Sequence, residues 1–398
     1  MTLRHGRAMV ASPGPSILPD RVLAAMGRAM PNIYGDELLG VSDSIFADLS
    51  VVAGTESKLY MTISNGHGAW SMAVSNTMSP GDKVLALESG IFAVAWGESA
   101  VPLGVGLEVL HAPPGHAIDP AALEERLRAD TTHEFTAILV AHIDTASSVQ
   151  NDILALRRAI DAASHPALLM VDCIASLGCV PYEMDAWGVD LTIGASQKGM
   201  MTPPGVAFVW AGERAIAAHE TAQLRTSHWD WATRLLDGPH YVRFNGTPPV
   251  SHIAALREAL DILQEEGLPN VYHRHAVLAG AVRAAVEAWS SPDGLGFYVA
   301  DEPARSEAVT TILTNSVDAN RLTDICLQQA GLTLGKGIGE FAGRSFRIGH
   351  MGHLNPPMIL GTIGTVESAL GAMNVSIPRS GVAAAAAHIG AALDASGD

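Results

Sequence analysis

Residues 191–210 read LTIGASQKGMMTPPGVAFVW: two short apolar runs, Leu191 to Ile193 and Val206 to Trp210, enclose a loop of small residues that carries Lys198 and turns through Pro203-Pro204-Gly205. Apolar runs this short, bounded by Gly and Pro, predict strands buried on both faces. Four more precede them, at Val84 to Leu87, Leu107 to Leu110, Ala137 to Ala141 and Ala167 to Val171, alternating with longer helical patterns. That alternation predicts an α/β fold built on a parallel, doubly wound sheet with helices on both faces. The clearest helix opens at Asp152, whose carboxylate suits an N-cap, and sets Ile153, Leu156, Ile160 and Ala163 on one stripe that should cover the sheet.

In such sheets, polar residues at the carboxyl ends of strands face the ligand crevice. Asp172 directly follows the run 167–171, and Lys198 follows the run 191–193, one crossover later. Taken singly, Asp172 reads as a helix cap and Lys198 as a solvated surface lysine. Taken together they supply what pyridoxal-phosphate chemistry needs. An amine condenses with the aldehyde, and a carboxylate keeps the pyridine nitrogen protonated so that the ring accepts electrons from a substrate carbanion.

Around Thr247-Pro248-Pro249 the rhythm changes, and an amphipathic helix from about Ser251 to Glu265 follows. The chain of 398 residues therefore divides into an N-terminal arm, 1–20, a large domain, 21–274, and a smaller α+β domain, 275–398. The Ala-rich tail Val382 to Leu393 reads as a terminal helix whose last residues fray. Composition narrows the function classes. Lys and Arg number 24 against 41 Asp and Glu, a formal charge of −17 that repels a phosphate backbone and argues against nucleic acid as a partner. Cys173, Cys179 and Cys326 form no CxxC pair, no GxxxxGK[ST] motif is present, and the 16 histidines include no HExxH. His350 and His353 lie close in sequence without a carboxylate or cysteine beside them, so no metal is expected. Arg4, His5 and Arg7 lead to Pro13 and Pro15 without a secretory apolar core, and no apolar run reaches the ~18 residues of a membrane span. A cytoplasmic protein with no membrane partner is the expectation.

Several motifs in order then carry a family resemblance. Val171-Asp172 with Ser176-Leu177-Gly178, Ser196-Gln197-Lys198 with Pro203-Pro204-Gly205, and Phe346-Arg347-Ile348-Gly349-His350 resemble the class V aminotransferases of the alanine-glyoxylate and serine-glyoxylate group. The resemblance runs from Pro13-Gly14-Pro15 to about Met373. It implies a pyridoxal 5'-phosphate enzyme of fold type I, with a mostly parallel mixed sheet in the large domain, and a homodimer whose active sites lie at the subunit interface. Lys198 would hold the cofactor as a Schiff base and Asp172 would face its ring nitrogen. The family's phosphate loop falls on Ser64-Asn65-Gly66-His67-Gly68-Ala69, with Asn65, Gly66 and His67 as contacts, although such a turn also occurs plainly on surfaces. Gln197 would lie on the phosphate side, and Thr247 would reach the phosphate from the partner subunit. Phe92 would stack on the ring, or else be an ordinary core phenylalanine. Thr145 would bond the ring's 3-oxygen side, or be a turn hydroxyl. Arg347 would clamp the substrate α-carboxylate with its planar fork, a structural salt bridge being the alternative. Tyr34 would stand near the substrate mouth.

The sequence also departs from the family. Phe244 stands where relatives often carry a phosphate-contacting tyrosine, and Asn65 where a serine or threonine is common. Tyr34-Gly35-Asp36 replaces a His-containing stretch, and Asp144 takes a position more often glutamate. The implied reaction is transamination between an L-amino acid (serine, alanine or aspartate) and glyoxylate or a similar small 2-oxo acid. A pyridoxamine-pyruvate type transaminase is the alternative that Phe244 and the substituted loop leave room for, while Gln197 and Thr247 argue against it. Another class V enzyme, such as a lyase, is a further alternative; cysteine desulfurase chemistry would need a nucleophilic cysteine on an accessible loop, whereas Cys326 sits in the helical pattern Leu322 to Leu327.

Overall fold

A computed structural model describes residues 2–234 and 238–395, so the end of the tail expected to fray, 396–398, lies outside the described residues. In chain order the strands are β1 (Met9–Ala11), β2 (Lys58–Thr62), β3 (Lys83–Glu88), β4 (Gly106–His111), β5 (Phe135–Ala141) and β6 (Leu168–Asp172). They continue with β7 (Leu191–Ala195), β8 (Ala207–Ala211), β9 (Gly296–Phe297), β10 (Val309–Leu313), β11 (Leu332–Lys336) and β12 (Ser345–Gly349). A seven-stranded sheet has the order β2-β8-β7-β6-β5-β3-β4, and a five-stranded sheet the order β1-β11-β12-β10-β9.

All six runs read from the sequence are strands of the larger sheet. β6, β7 and β8 are buried at every position, because helices cover both faces and leave no side for polar residues. Strands β3 to β7 pair parallel, as expected. The sheet nevertheless ends differently from a purely parallel one. β8 runs antiparallel to β7 and to β2. The link from Ala195 to Ala207 holds no helix and falls short of the roughly dozen residues a parallel crossover needs, so the chain turns straight back. That return loop carries Lys198 at the carboxyl end of β7. Asp172 ends the neighbouring β6, where it pairs with Ile193 of β7.

The helix predicted from Asp152 spans Ile153–Ala162, and the Asp152 carboxylate accepts from the amide of Ala155 at 2.9 Å. Its Ile153, Leu156 and Ile160 join the core against the sheet, each burial contributing roughly 1.5–3 kcal/mol. The helix predicted from Ser251 spans Val250–Glu266. Gly267, at φ 82°, makes the break that a side chain would resist, and a second helix, Leu268–Trp289, starts at once. This helix passes from one core to another: Val271 packs with the large-sheet cluster and Leu278 with a second cluster around the smaller sheet. The N-terminal arm also joins both parts. β1 pairs parallel with β11, after which the chain crosses by Pro13-Gly14-Pro15 to the helix Asp20–Met26. Among the described residues no helix is long and apolar enough to cross a membrane.

The passage between the two cores is pinned by a buried histidine. His275 donates Nδ1–H to the Val271 carbonyl at 2.7 Å, while its Nε2 accepts from the Gly352 amide at 2.9 Å, so the ring must be neutral. Burial lowers its pKa to about 4. His350, bonded to Thr310 and to the Glu307 carbonyl, is pushed down to about 3 for the same reason. Both groups bind protons less readily folded than unfolded. Their stabilising effect is complete above pH ~6.5 and declines as pH falls from there, at about 1.4 kcal/mol per pH unit for each histidine until the folded pKa is passed. The guanidinium midpoint should therefore drop between pH 7 and pH 5, and the drop should be shallower in His275→Gln. An equal drop in that variant would show that His275 does not contribute.

Candidate active site

A cavity of about 250 Å³ opens at the carboxyl ends of β6 and β7. Asn65, Gly66, His67, Phe92, Thr145, Asp172, Gln197 and Lys198, eight positions singled out in the sequence, share its wall. Chain segments far apart in sequence thus converge there because strand ends and helix starts all face one crevice.

Asp172 is 5% exposed and ends β6. Burial pushes its carboxyl pKa up to about 6. Two donors work the other way: the Ile174 amide bonds Oδ1 at 2.8 Å, and the indole N–H of Trp70 bonds Oδ2 at 2.8 Å. At neutral pH the group is therefore largely a carboxylate with spare lone pairs.

Lys198 projects from the β7–β8 loop, and Ser16 of the N-terminal arm fixes that loop from outside. The Ser16 amide donates to the Gln197 carbonyl at 2.9 Å and its hydroxyl to the Lys198 carbonyl at 2.7 Å. The amine itself donates to the Pro13 carbonyl. Burial, and then the nearby Arg347 cation, lowers its pKa to about 8, against the pull of Asp172. A fraction is then neutral near pH 7, which a nucleophilic or basic amine requires. Gly14 makes room for this side chain. At φ 108° it adopts a conformation that favours glycine, and a Cβ there would stand 2.5 Å from Cδ, Cε and Nζ of Lys198.

The opposite end of the cavity is the N-terminus of the helix Gly66–Thr77, capped by Asn65, whose side chain accepts from the His67 amide at 3.1 Å. A Cβ on Gly66 would collide with Ile174 of the β6 loop, so glycine lets the helix end close on the cavity. Helix N-termini attract anions through their first amides and dipole. Gln197 adds an amide whose buried oxygen has no hydrogen-bond partner among the described residues, leaving the group free to turn towards an incoming ligand. Amine, carboxylate, anion-binding helix end and the Phe92 ring together fit a flat heterocycle that bears an aldehyde and a phosphate.

Arg347, on β12, is not part of that wall, but its guanidinium is anchored to it. Nε and Nη2 donate to the Lys336 carbonyl at 3.0 and 2.7 Å, and Nη1 donates to the Thr145 carbonyl at 2.6 Å. Among the described residues three of its five N–H groups are spent, leaving one on each terminal nitrogen, the pair a carboxylate takes bidentately. Burial lowers the guanidinium pKa to about 10, so it stays charged. Asp144, flagged in the sequence only as a departure, organises the neighbourhood. Its buried carboxylate accepts from the amides of Phe92, Ala146 and Ser147 at 2.9, 2.8 and 3.1 Å, fixing the starts of two segments that line the cavity.

Two expected residues are not brought to this cavity. Tyr34 is 79% exposed, its ring 6.4 Å from that of Tyr241, and Thr247 lies exposed in the turn before the helix Val250–Glu266. Phe244, the departure near Thr247, is buried in the large core. Cys326 is buried in the helix Ala319–Ala330, and burial pushes its thiol up to about 12, so it offers no nucleophile. Sequence reasoning missed Gly14 and Trp70. Gly14 was visible only as part of a Pro-Gly-Pro motif, and Trp70, one helical turn after His67, reads as plain core.

The family model described as Aminotransferase class-V matches residues 50–340. The chain is 40% identical over 396 residues to the serine–glyoxylate aminotransferase of Methylorubrum extorquens, covering 98% of this chain and 97% of that one. It is 37% identical to the L-aspartate–glyoxylate aminotransferase of Paracoccus denitrificans, with 94% of each chain covered. Among solved structures, the pyridoxamine-pyruvate aminotransferase from Mesorhizobium loti superposes with a TM-score of 0.88 at 28% identity, over 98% of this chain and 100% of that one.

Proposed function

This chain belongs to the class-V aminotransferases, and from that premise we propose that it moves an amino group between an L-amino acid (serine, alanine or aspartate) and glyoxylate or a similarly small 2-oxo acid, with pyridoxal 5'-phosphate held by Lys198. One observation carries the reading: the Lys198 amine and the Asp172 carboxylate enter one cavity from adjacent strand ends, with a helix N-terminus closing the far side.

When bound, pyridoxal phosphate supplies an aldehyde for exchange with the donor amine and a protonated ring that takes up electrons released at the donor's α-carbon. The chain's own residues do the rest. Asn65, Gly66 and His67 would hold the phosphate at the helix end, and Gln197 would add its amide. Phe92 would stack on the ring, and Thr145 would bond the ring's 3-oxygen side. Asp172 would face the ring nitrogen and keep it protonated. Lys198 would hold the cofactor and, once displaced by the donor amine, would serve as the base that takes and returns the substrate α-proton in both half-reactions. Arg347 holds the substrate carboxylate in both directions. Tyr34 and Thr247, exposed and outside their own chain's cavity, serve the site of a partner subunit in a homodimer, Thr247 at the phosphate and Tyr34 at the substrate mouth. A cytoplasmic setting belongs to the same reading, supported by three buried, unpaired cysteines.

The helix end and the Gln197 amide favour this reading over free pyridoxamine, which lacks a phosphate and would leave both unanswered. Purified protein given pyridoxal phosphate should turn yellow. Serine, alanine and aspartate, tried one by one, identify the donor by the loss of that colour, and glyoxylate should restore it. Protein that takes up no pyridoxal phosphate would overturn the proposal.

A further inference from the structure

Among the described residues Asp172 meets no ion-pair partner that could explain its ionisation. Burial raises its pKa, the charge of Lys198 lowers it less than either of its hydrogen bonds does, and the carboxylate of Asp144 adds to the difficulty. What opposes burial is a pair of hydrogen bonds, from the Ile174 amide and from Trp70 Nε1. The first is a local turn in which an aspartate accepts from the amide two residues on, and it would form on any chain with this backbone. The second comes from 102 residues away and is specific to an indole.

We propose that Trp70 is the positioning residue for Asp172: its indole N–H holds the carboxylate ionised and aimed into the cavity, and couples this acidic end to the helix that forms the anion-binding end. The inference rests on the pyridoxal-phosphate reading above. Trp70 and Asp172 are 2% and 5% exposed, and the bond between them is 2.8 Å. Hydrogen bonds to a charged acceptor are roughly twice as strong as neutral ones, more so where water is excluded. The indole cannot turn away. Trp96 stacks on it at 6.3 Å with the planes 12° apart, Phe92 stands 6.3 Å off, and His67 is 4.5 Å away on the open side.

Packing alone does not account for this bond. Trp96 is equally buried in the same cluster, yet its Nε1 has no hydrogen-bond partner among the described residues. The sequence spacing supplies the coupling. Gly66, at the anion end, and Trp70 lie on one helix, roughly 6 Å apart along its axis at 1.5 Å per residue. A shift of that helix would move both ends of the site together.

The test is binding of pyridoxal phosphate by the full chain, measured by equilibrium dialysis from about pH 5 to about pH 8.5, a range that brackets the Asp172 titration. In the unaltered protein, affinity should weaken as pH falls through the titration of Asp172. In Trp70→Phe that midpoint should move up by about one pH unit, with binding about fivefold weaker at pH 6, about twofold weaker at pH 7 and little changed at pH 8.5. Trp96→Phe, which removes a neighbouring indole without touching Asp172, should leave the midpoint in place. Equal weakening at every pH in Trp70→Phe would mean that Trp70 only fills space, and would overturn the inference. An unaltered protein that binds no pyridoxal phosphate would instead overturn the functional reading. If Trp70→Phe does not fold, the Trp70 indole N–H resonance of the unaltered chain decides: it should shift with pH across the Asp172 titration and lose that shift in Asp172→Asn. A resonance indifferent to pH would refute the role.

Discussion

Lys198→Ala is expected to lower transamination by roughly 10²–10⁴-fold or more, the range lost when a positioned proton-transfer group is removed, because the same change also deletes the covalent anchor. The fold should survive. Lys198 carries a buried cation whose pKa is lowered to about 8, so its ammonium is not a net source of stability, and the loop is held by Ser16 through backbone atoms that the substitution leaves alone. Pyridoxal phosphate should still bind, more weakly, through the helix end at Asn65 and Gly66, through Gln197 and against Asp172. Three measurements separate these statements: turnover with a competent donor and glyoxylate, the melting temperature, and borohydride reduction followed by peptide mapping. Reduction should mark Lys198 in the unaltered chain and no residue in the variant. Substantial turnover in Lys198→Ala, or a mark on some other lysine, would remove the amine from the centre of the chemistry.

The sequence made Lys198 and Asp172 legible because each follows an apolar run, and a run that ends in a charged residue at a strand end can be placed at the crevice without knowing anything else. The large sheet was legible for the same reason, and its fold-type I architecture is the one expected. What the runs could not reveal was direction. β8 looks like any buried strand, and only the short link after β7 shows that it must turn back; β2, Lys58-Leu59-Tyr60-Met61-Thr62, has no aliphatic run and joins the sheet by pairing with β8. The hidden parts of the site are those that depend on partners distant in sequence. Trp70 gains its role from a carboxylate 102 residues away, and Gly14 from a lysine on the distant loop between β7 and β8. Their local patterns, an aromatic in a helix and a glycine between prolines, occur everywhere. Tyr34 and Thr247 are the reverse case: residues singled out in the sequence that this chain leaves on its surface.

Arg347→Ala should raise KM for both the amino donor and the oxo acid by about 10²–10³-fold, since removing one partner of a buried, hydrogen-bonded charge pair costs roughly 2–5 kcal/mol and each 1.4 kcal/mol is tenfold. The reason lies in the N–H accounting. With three donors committed to the carbonyls of Lys336 and Thr145, the two left over sit on separate terminal nitrogens in the fixed geometry that matches two carboxylate oxygens. Arg347→Lys should recover little, because an ammonium keeps the charge but cannot hold both carbonyls and a bidentate carboxylate at once. The same bonds tie β12 to the Thr145 loop, so part of any loss in the alanine variant could come from a displaced Thr145 rather than a missing clamp. Affinity for pyridoxal phosphate distinguishes the two. If the clamp is the main role, cofactor affinity stays within a few-fold while KM for carboxylate substrates climbs, and an amine lacking a carboxylate reacts about as well as before. If affinity for cofactor and substrates falls in parallel, Arg347 acts chiefly by holding Thr145. Unchanged KM together with an unchanged rate would reject both.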